Sequence, residues 1–202
     1  MIRTILTSGI TELGLSDEPQ KLEKLIAFID LIIKWNKAYN LTAIRNPEEM
    51  ARLHILDSLA ISPYIRGQRL IDIGTGAGLP GIPLAIYHPE MQFTLLDSNA
   101  KKTRFVQQAI LELKLTNVIV QHHRVEDFKP EIGFDTVTCR AFSSMDTIMQ
   151  LTAHLFNDKG LLLAMKGQTP KDELALLSQH YNLINLTVPS IDAERCLVCI
   201  ET

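Results

Sequence analysis

The chain has 202 residues, 46% hydrophobic and 21% charged, which suits one globular domain with a small extension. No apolar run reaches the ~18–20 residues of a membrane span, and no secretory signal is evident. Three cysteines cannot all pair, so we expect a protein of the reducing cytoplasm. A net charge of −3 argues against a nucleic-acid partner bound by overall charge alone, although it permits a local basic face.

Helical periodicity dominates the first third of the chain. Residues 1–15 predict a short helix, and residues 16–19 combine a capping serine, two acids and a proline, which is a helix-start signal. Apolar residues then recur at helical spacing over residues 22–33, and Asn46 opens a third helix. We therefore expect an N-terminal helical extension over residues 1–65.

Strands and helices alternate over residues 66–202, which we expect to form one compact unit with the extension. The predicted strands cover residues 69–73, 92–97, 117–121, 134–139, 159–165, 183–188 and 195–201. The predicted helices cover residues 81–88, 99–114, 145–156 and 170–180, with a loop at 125–132. This alternation predicts a parallel α/β sheet with helices on both faces. The last two strands share a short link containing Pro189, so the final strand should be antiparallel to its neighbours.

A glycine-rich turn follows the first predicted strand. Its glycines are Gly74, Gly76 and Gly78. Glycine allows positive φ and lets a ligand lie against bare backbone. The dinucleotide fingerprint fails because Leu79 stands at the sixth position, and no lysine follows to make a phosphate-binding P-loop. Asp72 followed by G-x-G-x-G instead resembles the first motif of Rossmann-like S-adenosylmethionine-dependent methyltransferases.

Acidic residues follow the next two predicted strands. Asp97 ends the second strand, where a carboxylate can accept both ribose hydroxyls; the alternative is that Asp97 caps the next helix. Val125 and Glu126 follow the third strand, where a backbone N–H and an acid can read an adenine edge. Asp127 competes for the acidic role, and the alternative is a solvated turn without a ligand.

Cationic residues end the fourth and fifth strands. Arg140 can grip a methionine carboxylate or a guanine edge, or it can be a surface arginine whose stem covers apolar neighbours. Lys166 lies on the same rim or is a solvated strand end. Cys139 lies in an apolar strand, which is typical of a buried thiol. Cys196 and Cys199 lack the second ligand cluster of a zinc site, so we expect no metal.

Together these features resemble the RsmG (GidB) family of bacterial 16S ribosomal RNA guanine-N7 methyltransferases over nearly the whole chain. The most specific segments are residues 34–42, 54–58, 72–83, 95–98, 124–126, 140–142 and 166–168. The resemblance implies a Rossmann-like fold whose seven-stranded sheet is mostly parallel and has an antiparallel last strand. With the motifs above, it implies S-adenosylmethionine contacts at Gly74, Gly76, Gly78, Leu79, Asp97, Val125, Glu126 and Arg140.

The resemblance also implies how the reaction is organised. Guanine N7 carries a lone pair and no proton, so no general base is expected and catalysis should depend on alignment. The candidate positioning residues are Arg140, Lys166 and Asn40. The candidate RNA-binding residues are Arg124, His54, Lys34, Lys37 and Arg45; the alternative for the exposed cations is ordinary solvation. The implied partner is 16S ribosomal RNA or the small ribosomal subunit, bound by a cytoplasmic monomer without metal or membrane.

Three other functions remain open from the residues alone. A methyltransferase of this class can act on another RNA, a protein or a small molecule, and the acidic net charge slightly favours a non-RNA substrate. A nicotinamide-dependent oxidoreductase is disfavoured by the missing sixth glycine. A non-catalytic RNA-binding scaffold could retain the same fold.

Overall fold

A seven-stranded sheet with the order β3-β2-β1-β4-β5-β7-β6 forms the centre of the fold in the computed structural model, which describes residues 1–202. The strands are β1 (Arg69–Ile73), β2 (Gln92–Asp97), β3 (Val118–His122), β4 (Phe134–Arg140), β5 (Phe156–Lys166), β6 (Asn182–Asn185) and β7 (Cys196–Glu201). Strands β1 to β5 pair in parallel, whereas β7 is antiparallel to both β5 and β6. The predicted mostly parallel sheet with an antiparallel last strand is confirmed.

Each face of the sheet packs on its own hydrophobic core. Because side chains alternate along a strand, Leu70 of β1 joins the larger core and Ile71 and Ile73 join the smaller one. The larger core contains 40 buried residues and includes the N-terminal helices, so residues 1–65 cover one sheet face. Both faces of the strands are therefore buried, which explains their nearly continuous apolar sequences.

The helices match most of the predicted positions. The α-helices are α1 (Ile2–Glu12), α2 (Pro19–Tyr39), α3 (Pro47–Met50), α4 (Asp57–Leu59), α5 (Gly81–Tyr87), α6 (Ala100–Glu112), α7 (Met145–Thr152) and α8 (Lys171–Ala175). Helix α8 is shorter than the predicted 170–180 because only Leu174 in it is buried, and packing supports little more than one turn. A 3₁₀ turn at Val125–Asp127 opens the predicted loop. No helix combines the length and apolar content needed to cross a membrane.

Helix α2 attaches the N-terminal segment to the sheet domain. Phe28 stacks on Phe105 of α6 with ring centroids 6.3 Å apart, and Trp35 meets the same ring edge-on at 5.9 Å. The helix ends at Asn40, which adopts the left-handed conformation with φ +49°. The chain then turns toward the carboxyl edge of the sheet.

The third predicted helix contains a π-helical segment. Asn46 caps α3 by accepting hydrogen bonds from the backbone N–H groups of Glu48 and Glu49. The segment Ala51–Leu56 is π-helical, and α4 continues from it. Hydrogen bonds that skip one further residue widen the helix, and such segments often occur at functional sites. This segment carries His54, and Asp57 follows it directly.

Asn117 holds the end of α5 and the link to β2, and its replacement should destabilise the fold. The two protons of its amide nitrogen are shared among the carbonyl oxygens of Ala85, His88 and Met91, each 3.1 Å away. Asn117→Ala leaves these groups with fewer partners, so we expect urea unfolding to show a loss of about 1–3 kcal/mol. Asn182→Ala, on the exposed edge strand, is the control and should change stability by less than about 0.5 kcal/mol. Equal stability of the two variants would contradict this role.

Candidate active site

A cavity of about 390 Å³ lies where β1, β2, β3 and β4 end at the carboxyl edge of the sheet. Its lining residues are Gly74, Leu96, Asp97, Ser98, Lys102, His123, Arg124, Val125, Glu126, Ala141, Phe142 and Leu151. We call it the cofactor cavity. It contains four predicted cofactor residues, Gly74, Asp97, Val125 and Glu126, and ligands of open α/β sheets bind at this edge.

The glycine turn forms one side of the cofactor cavity. Gly74, Gly76 and Gly78 have φ of +65°, +60° and +80°, which branched residues do not adopt without strain. A Cβ on Gly74 would lie 2.5 Å from Cδ2 of Phe142, so no larger residue fits there. Gly76, Gly78 and Leu79 belong to the turn but do not line the cavity, and Leu79 is buried.

Asp97 is held in place by the backbone on both sides. Its Oδ2 accepts a 2.8 Å hydrogen bond from the N–H of Gly76, and Oδ1 accepts one of 2.8 Å from the N–H of Asn99. Each carboxylate oxygen keeps a lone pair for a ligand. Helix α6 is capped by Asn99, which accepts from the N–H groups of Lys101 and Lys102. The N-cap of α6 is therefore Asn99 and not Asp97.

A second cavity of about 450 Å³ adjoins the first, and we call it the acceptor cavity. Its lining residues are Ile44, Leu53, His54, Asp57, Arg140, Ala141, Met165, Lys166, Gly167, Leu186, Arg195 and Cys196. Ala141 lines both cavities and has a left-handed φ of +51°, a conformation that is uncommon for a residue with a Cβ. Two cavities that share this residue can place two ligands side by side.

A buried carboxylate joins two arginines in the acceptor cavity. Oδ2 of Asp57 accepts from Nη1 of Arg140 at 3.2 Å, and Oδ1 accepts from Nε of Arg195 at 2.8 Å. Nη1 of Arg140 also donates to the carbonyl oxygen of Leu53 in the π-helical segment at 3.2 Å. Arg140 therefore lies on the acceptor cavity and does not line the cofactor cavity.

His54 is buried beside this cluster, and the protein engages both of its ring nitrogens. The carbonyl oxygen of Leu53 can only accept, so Nδ1 of His54 carries the hydrogen and donates to it at 3.2 Å. Nε2 of the neutral ring is then an acceptor, and the hydroxyl of Thr42 donates to it at 2.9 Å while accepting from the N–H of Ile44. Burial and the charge of Arg140 lower the pKa of His54 to about 4. His54 is thus neutral near pH 7.

Lys166 supports the loop between β4 and α7. Its Nζ donates to the carbonyl of Ser143 at 2.8 Å and to Oε2 of Glu173 at 2.9 Å. Oε2 of Glu173 also accepts from the N–H of Met145, where α7 begins. These bonds fix the loop that carries Ala141 and Phe142 between the two cavities.

Asp72 and Cys139 are buried behind the two cavities. Oδ2 of Asp72 accepts from the hydroxyl of Thr75 at 2.6 Å and the N–H of Gly81 at 3.0 Å, whereas Oδ1 has no partner. Burial raises the pKa of Asp72 to about 7. Burial, together with the nearby Asp72 charge, raises the pKa of Cys139 to about 12, so a nucleophilic thiolate is not available there.

Several predicted RNA-binding residues lie outside the acceptor cavity. Asn40 is exposed and accepts from Nη2 of Arg45 at 3.4 Å, and neither residue lines a cavity described above. Lys34 borders a separate groove between α2 and α6, and Lys37 is exposed on α2. Arg124 lines the cofactor cavity and lies 3.9 Å from Glu126. RNA contacts by these five residues remain predictions from the sequence.

Asp57 and Arg195 were missed as site residues by sequence reasoning. Asp57 lies in the segment 54–58 that carries the family resemblance, so a signal for it existed. Arg195 follows an irregular link with no motif, and 138 positions separate it from Asp57. Only the folded chain shows that the two side chains meet.

The sequence model of the GidB family, described as rRNA small subunit methyltransferase G, matches residues 21–198. The chain belongs to this family. The relative from Pseudomonas syringae pv. syringae, named ribosomal RNA small subunit methyltransferase G, is 49% identical over 97% of this chain and 93% of its own length. The relative of the same name from Hydrogenovibrio crunogenus is 53% identical over 93% of this chain and 88% of its own length. The resemblance expected from the sequence is confirmed.

A solved structure supports the fold assignment for this GidB-family chain. The N-methyltransferase NodS from Bradyrhizobium japonicum WM9, solved with S-adenosyl-L-homocysteine, superposes with a TM-score of 0.59 at 12% identity. The match covers 84% of this chain and 98% of that protein. The predicted Rossmann-like methyltransferase fold is confirmed.

The buried Asp72 generates a test of stability against pH. Its folded pKa of about 7 exceeds the unfolded value of ~3.9, so between these pH values only the folded chain holds the proton. The free energy of unfolding contributed by Asp72 therefore falls as pH rises through this window. Asp72→Asn stays neutral, and from pH 5 to pH 8 it should gain roughly 2–3 kcal/mol relative to wild type in urea unfolding.

The control for this measurement is Asp158→Asn, which removes an exposed carboxylate. Its free energy of unfolding should follow the wild-type pH curve. His54 is present in all three proteins, so its own titration cancels from the comparison. If the Asp72→Asn curve ran parallel to wild type, Asp72 would be ionised throughout.

Proposed function

We propose that this chain transfers a methyl group from S-adenosylmethionine to N7 of a guanine in the 16S ribosomal RNA of the small subunit. Membership of the rRNA small subunit methyltransferase G family supports the enzyme class and the RNA substrate. The observation that carries the chemistry is the pair of cavities that meet at Ala141. The assignment to guanine N7 rests on the family resemblance. It also rests on the chemistry of N7, which reacts through a free lone pair and needs no general base.

The cofactor cavity suits a nucleoside bearing an amino acid tail. The anchored carboxylate of Asp97 offers acceptors to a ribose diol, and the Val125–Asp127 turn and Glu126 offer groups for an adenine edge. The absent Cβ of Gly74 makes room for Phe142, and the space beside Gly76 is open, so a ligand can approach the backbone of the turn there. S-adenosylmethionine supplies an electrophilic methyl group on a positively charged sulfur.

The acceptor cavity suits a nucleophile that needs no deprotonation. Guanine N7 has a free lone pair and can attack the methyl group in line, so the protein must supply position more than proton transfer. Neutral His54, with both nitrogens engaged, is consistent with this requirement. A donor on N7 would occupy the reacting lone pair. Arg140 should therefore contact guanine O6 or the RNA backbone, which leaves N7 free.

The charges of the acceptor cavity favour RNA. Arg140, Arg195 and Lys166 face two carboxylates, Asp57 and Glu173, so the cluster carries a net charge of about +1 in an acidic protein. The ordered arginines can bind an anionic backbone while their forks stay oriented by Asp57. Lys34, Lys37, Arg45 and Arg124 would add phosphate contacts beyond the cavity, and Asn40 would help position the RNA. We propose a cytoplasmic monomer as the working form.

Mapping of N7-methylguanosine tests the proposal most directly. The 16S ribosomal RNA from cells with and without the gene should differ at one guanine, and the gene restored on a plasmid should return the modification. In vitro, radiolabelled methyl transfer should reach naked 16S RNA or 30S particles and not bulk protein. Labelling of protein or small molecules alone would favour a different methyltransferase.

The role of Arg140 generates a second test. Arg140→Lys keeps the charge but replaces the planar guanidinium, whose Nη1 bonds Leu53 and Asp57, with a single nitrogen, so no second terminal nitrogen remains for the RNA. We expect kcat/KM for RNA to fall roughly 5- to 150-fold, with S-adenosylmethionine affinity by calorimetry within about twofold of wild type. A loss confined to cofactor affinity would instead assign Arg140 to the cofactor.

The matched control for this test is Arg52→Lys. Arg52 lies in the same π-helical segment as Leu53, but it pairs with Glu48 at 4.0 Å and lines neither cavity. Its kcat/KM should stay near wild type. If Arg140→Lys and Arg52→Lys were equally active, the guanidinium of Arg140 would have no role in the reaction.

A further inference from the structure

A third cavity of about 660 Å³ adjoins the acceptor cavity on the side away from the cofactor cavity, and we call it the flanking cavity. Its lining residues are Gln168, Thr169, Lys171, Asn185, Leu186, Glu194, Arg195 and Cys196. Three of these, Leu186, Arg195 and Cys196, also line the acceptor cavity. The two cavities are therefore neighbours with a shared wall.

The antiparallel end of the sheet explains this position. Cys196 at the start of β7 pairs with Lys166 at the carboxyl end of β5, and Asn185 at the end of β6 pairs with Cys196. The reversed strands thus bring Asn185 to the same sheet edge as Lys166. The cofactor, acceptor and flanking cavities follow one another along that edge, from β3 to β6.

Polar side chains of the flanking cavity are available to a ligand. The side-chain amides of Gln168 and Asn185 and the ammonium of Lys171 make no hydrogen bond within the protein, and all three residues are exposed. Amides can donate and accept at once, which suits the edge of a nucleic acid base. The exposed acid Glu194 can accept from an exocyclic amino group but opposes a site for phosphate alone.

Arg195 lies at the boundary between the two cavities with its orientation fixed. Its Nε donates to Asp57 at 2.8 Å and its Nη1 donates to the carbonyl of Glu194 at 2.8 Å. Nη2 has no partner in the protein, so its protons are free for a ligand. Because Arg195 lines both cavities, its guanidinium is available to a phosphate that links a nucleotide in one cavity to a nucleotide in the next.

We propose that the flanking cavity binds the nucleotide next to the target guanine, with its base edge read by Asn185 and Gln168 and its phosphate held by Arg195 and Lys171. The proposal rests on the proposed function, because it requires a guanine in the acceptor cavity. Specific RNA recognition commonly uses unstacked bases in separate pockets, hydrogen-bonded at their edges. The site gives the enzyme a means to choose one guanine among many.

Asn185→Ala and Gln168→Ala test the site in the full chain, with 16S RNA lacking the modification offered both naked and as 30S particles. Each variant loses one hydrogen bond to the RNA, so its KM should rise about 3- to 10-fold for whichever substrate the wild type methylates more efficiently. The kcat and the affinity for S-adenosylmethionine should stay nearly unchanged. Asn182→Ala is the matched control: it removes an exposed amide from the opposite end of β6. Its KM should equal that of wild type.

A second arm uses 16S RNA with substitutions at the nucleotides on either side of the target guanine. If Asn185 reads one of these bases, substituting that base should raise the wild-type KM and cause little further loss in Asn185→Ala. Additive losses, or equal KM values for Asn185→Ala and Asn182→Ala, would overturn the flanking site while leaving the proposed function intact. Failure of wild type to methylate N7 in either substrate would overturn the proposed function itself.

Discussion

The buried carboxylate of Asp57 is the interaction on which the active-site architecture depends. It binds Arg140 at the end of β4 and Arg195 directly before β7, and thereby joins the N-terminal helical segment to two distant strands. Its loss would leave two guanidinium groups without their shared anion, which is a costly change in a partly buried site. The π-helical segment contributes by presenting the Leu53 carbonyl to Arg140.

The three cavities follow from sheet topology and from this anchoring. Parallel strands β1 to β5 direct their carboxyl ends to one edge, and the antiparallel β7 and β6 extend that edge with polar residues. Ala141 lines both the cofactor cavity and the acceptor cavity, and Arg195 lines both the acceptor cavity and the flanking cavity. One edge therefore presents three adjoining cavities, which in our proposals hold the methyl donor, the reacting base and a neighbouring nucleotide.

Much of the fold and of the cofactor cavity was predictable because their signals are local. Gly74, Asp97 and Val125 each follow a short apolar strand, and parallel strands bring such positions together without further information. The end of α8 was not predictable, because it depends on how little of that helix is buried. The π-helical segment has no distinct periodicity, so the pattern alone predicted an ordinary helix.

The sequence by itself determined the order of strands and helices, the glycine turn, the acid after β2 and the family. Those features depend on residue type and short-range spacing. Only the tertiary structure decided that Asp57, Arg140 and Arg195 form one cluster. It also decided that His54 is buried with both ring nitrogens hydrogen-bonded, and that Asn185 lies at the same sheet edge as Lys166. These contacts join residues far apart in the chain, and only the packing of helices and reversed strands on the sheet sets their distances.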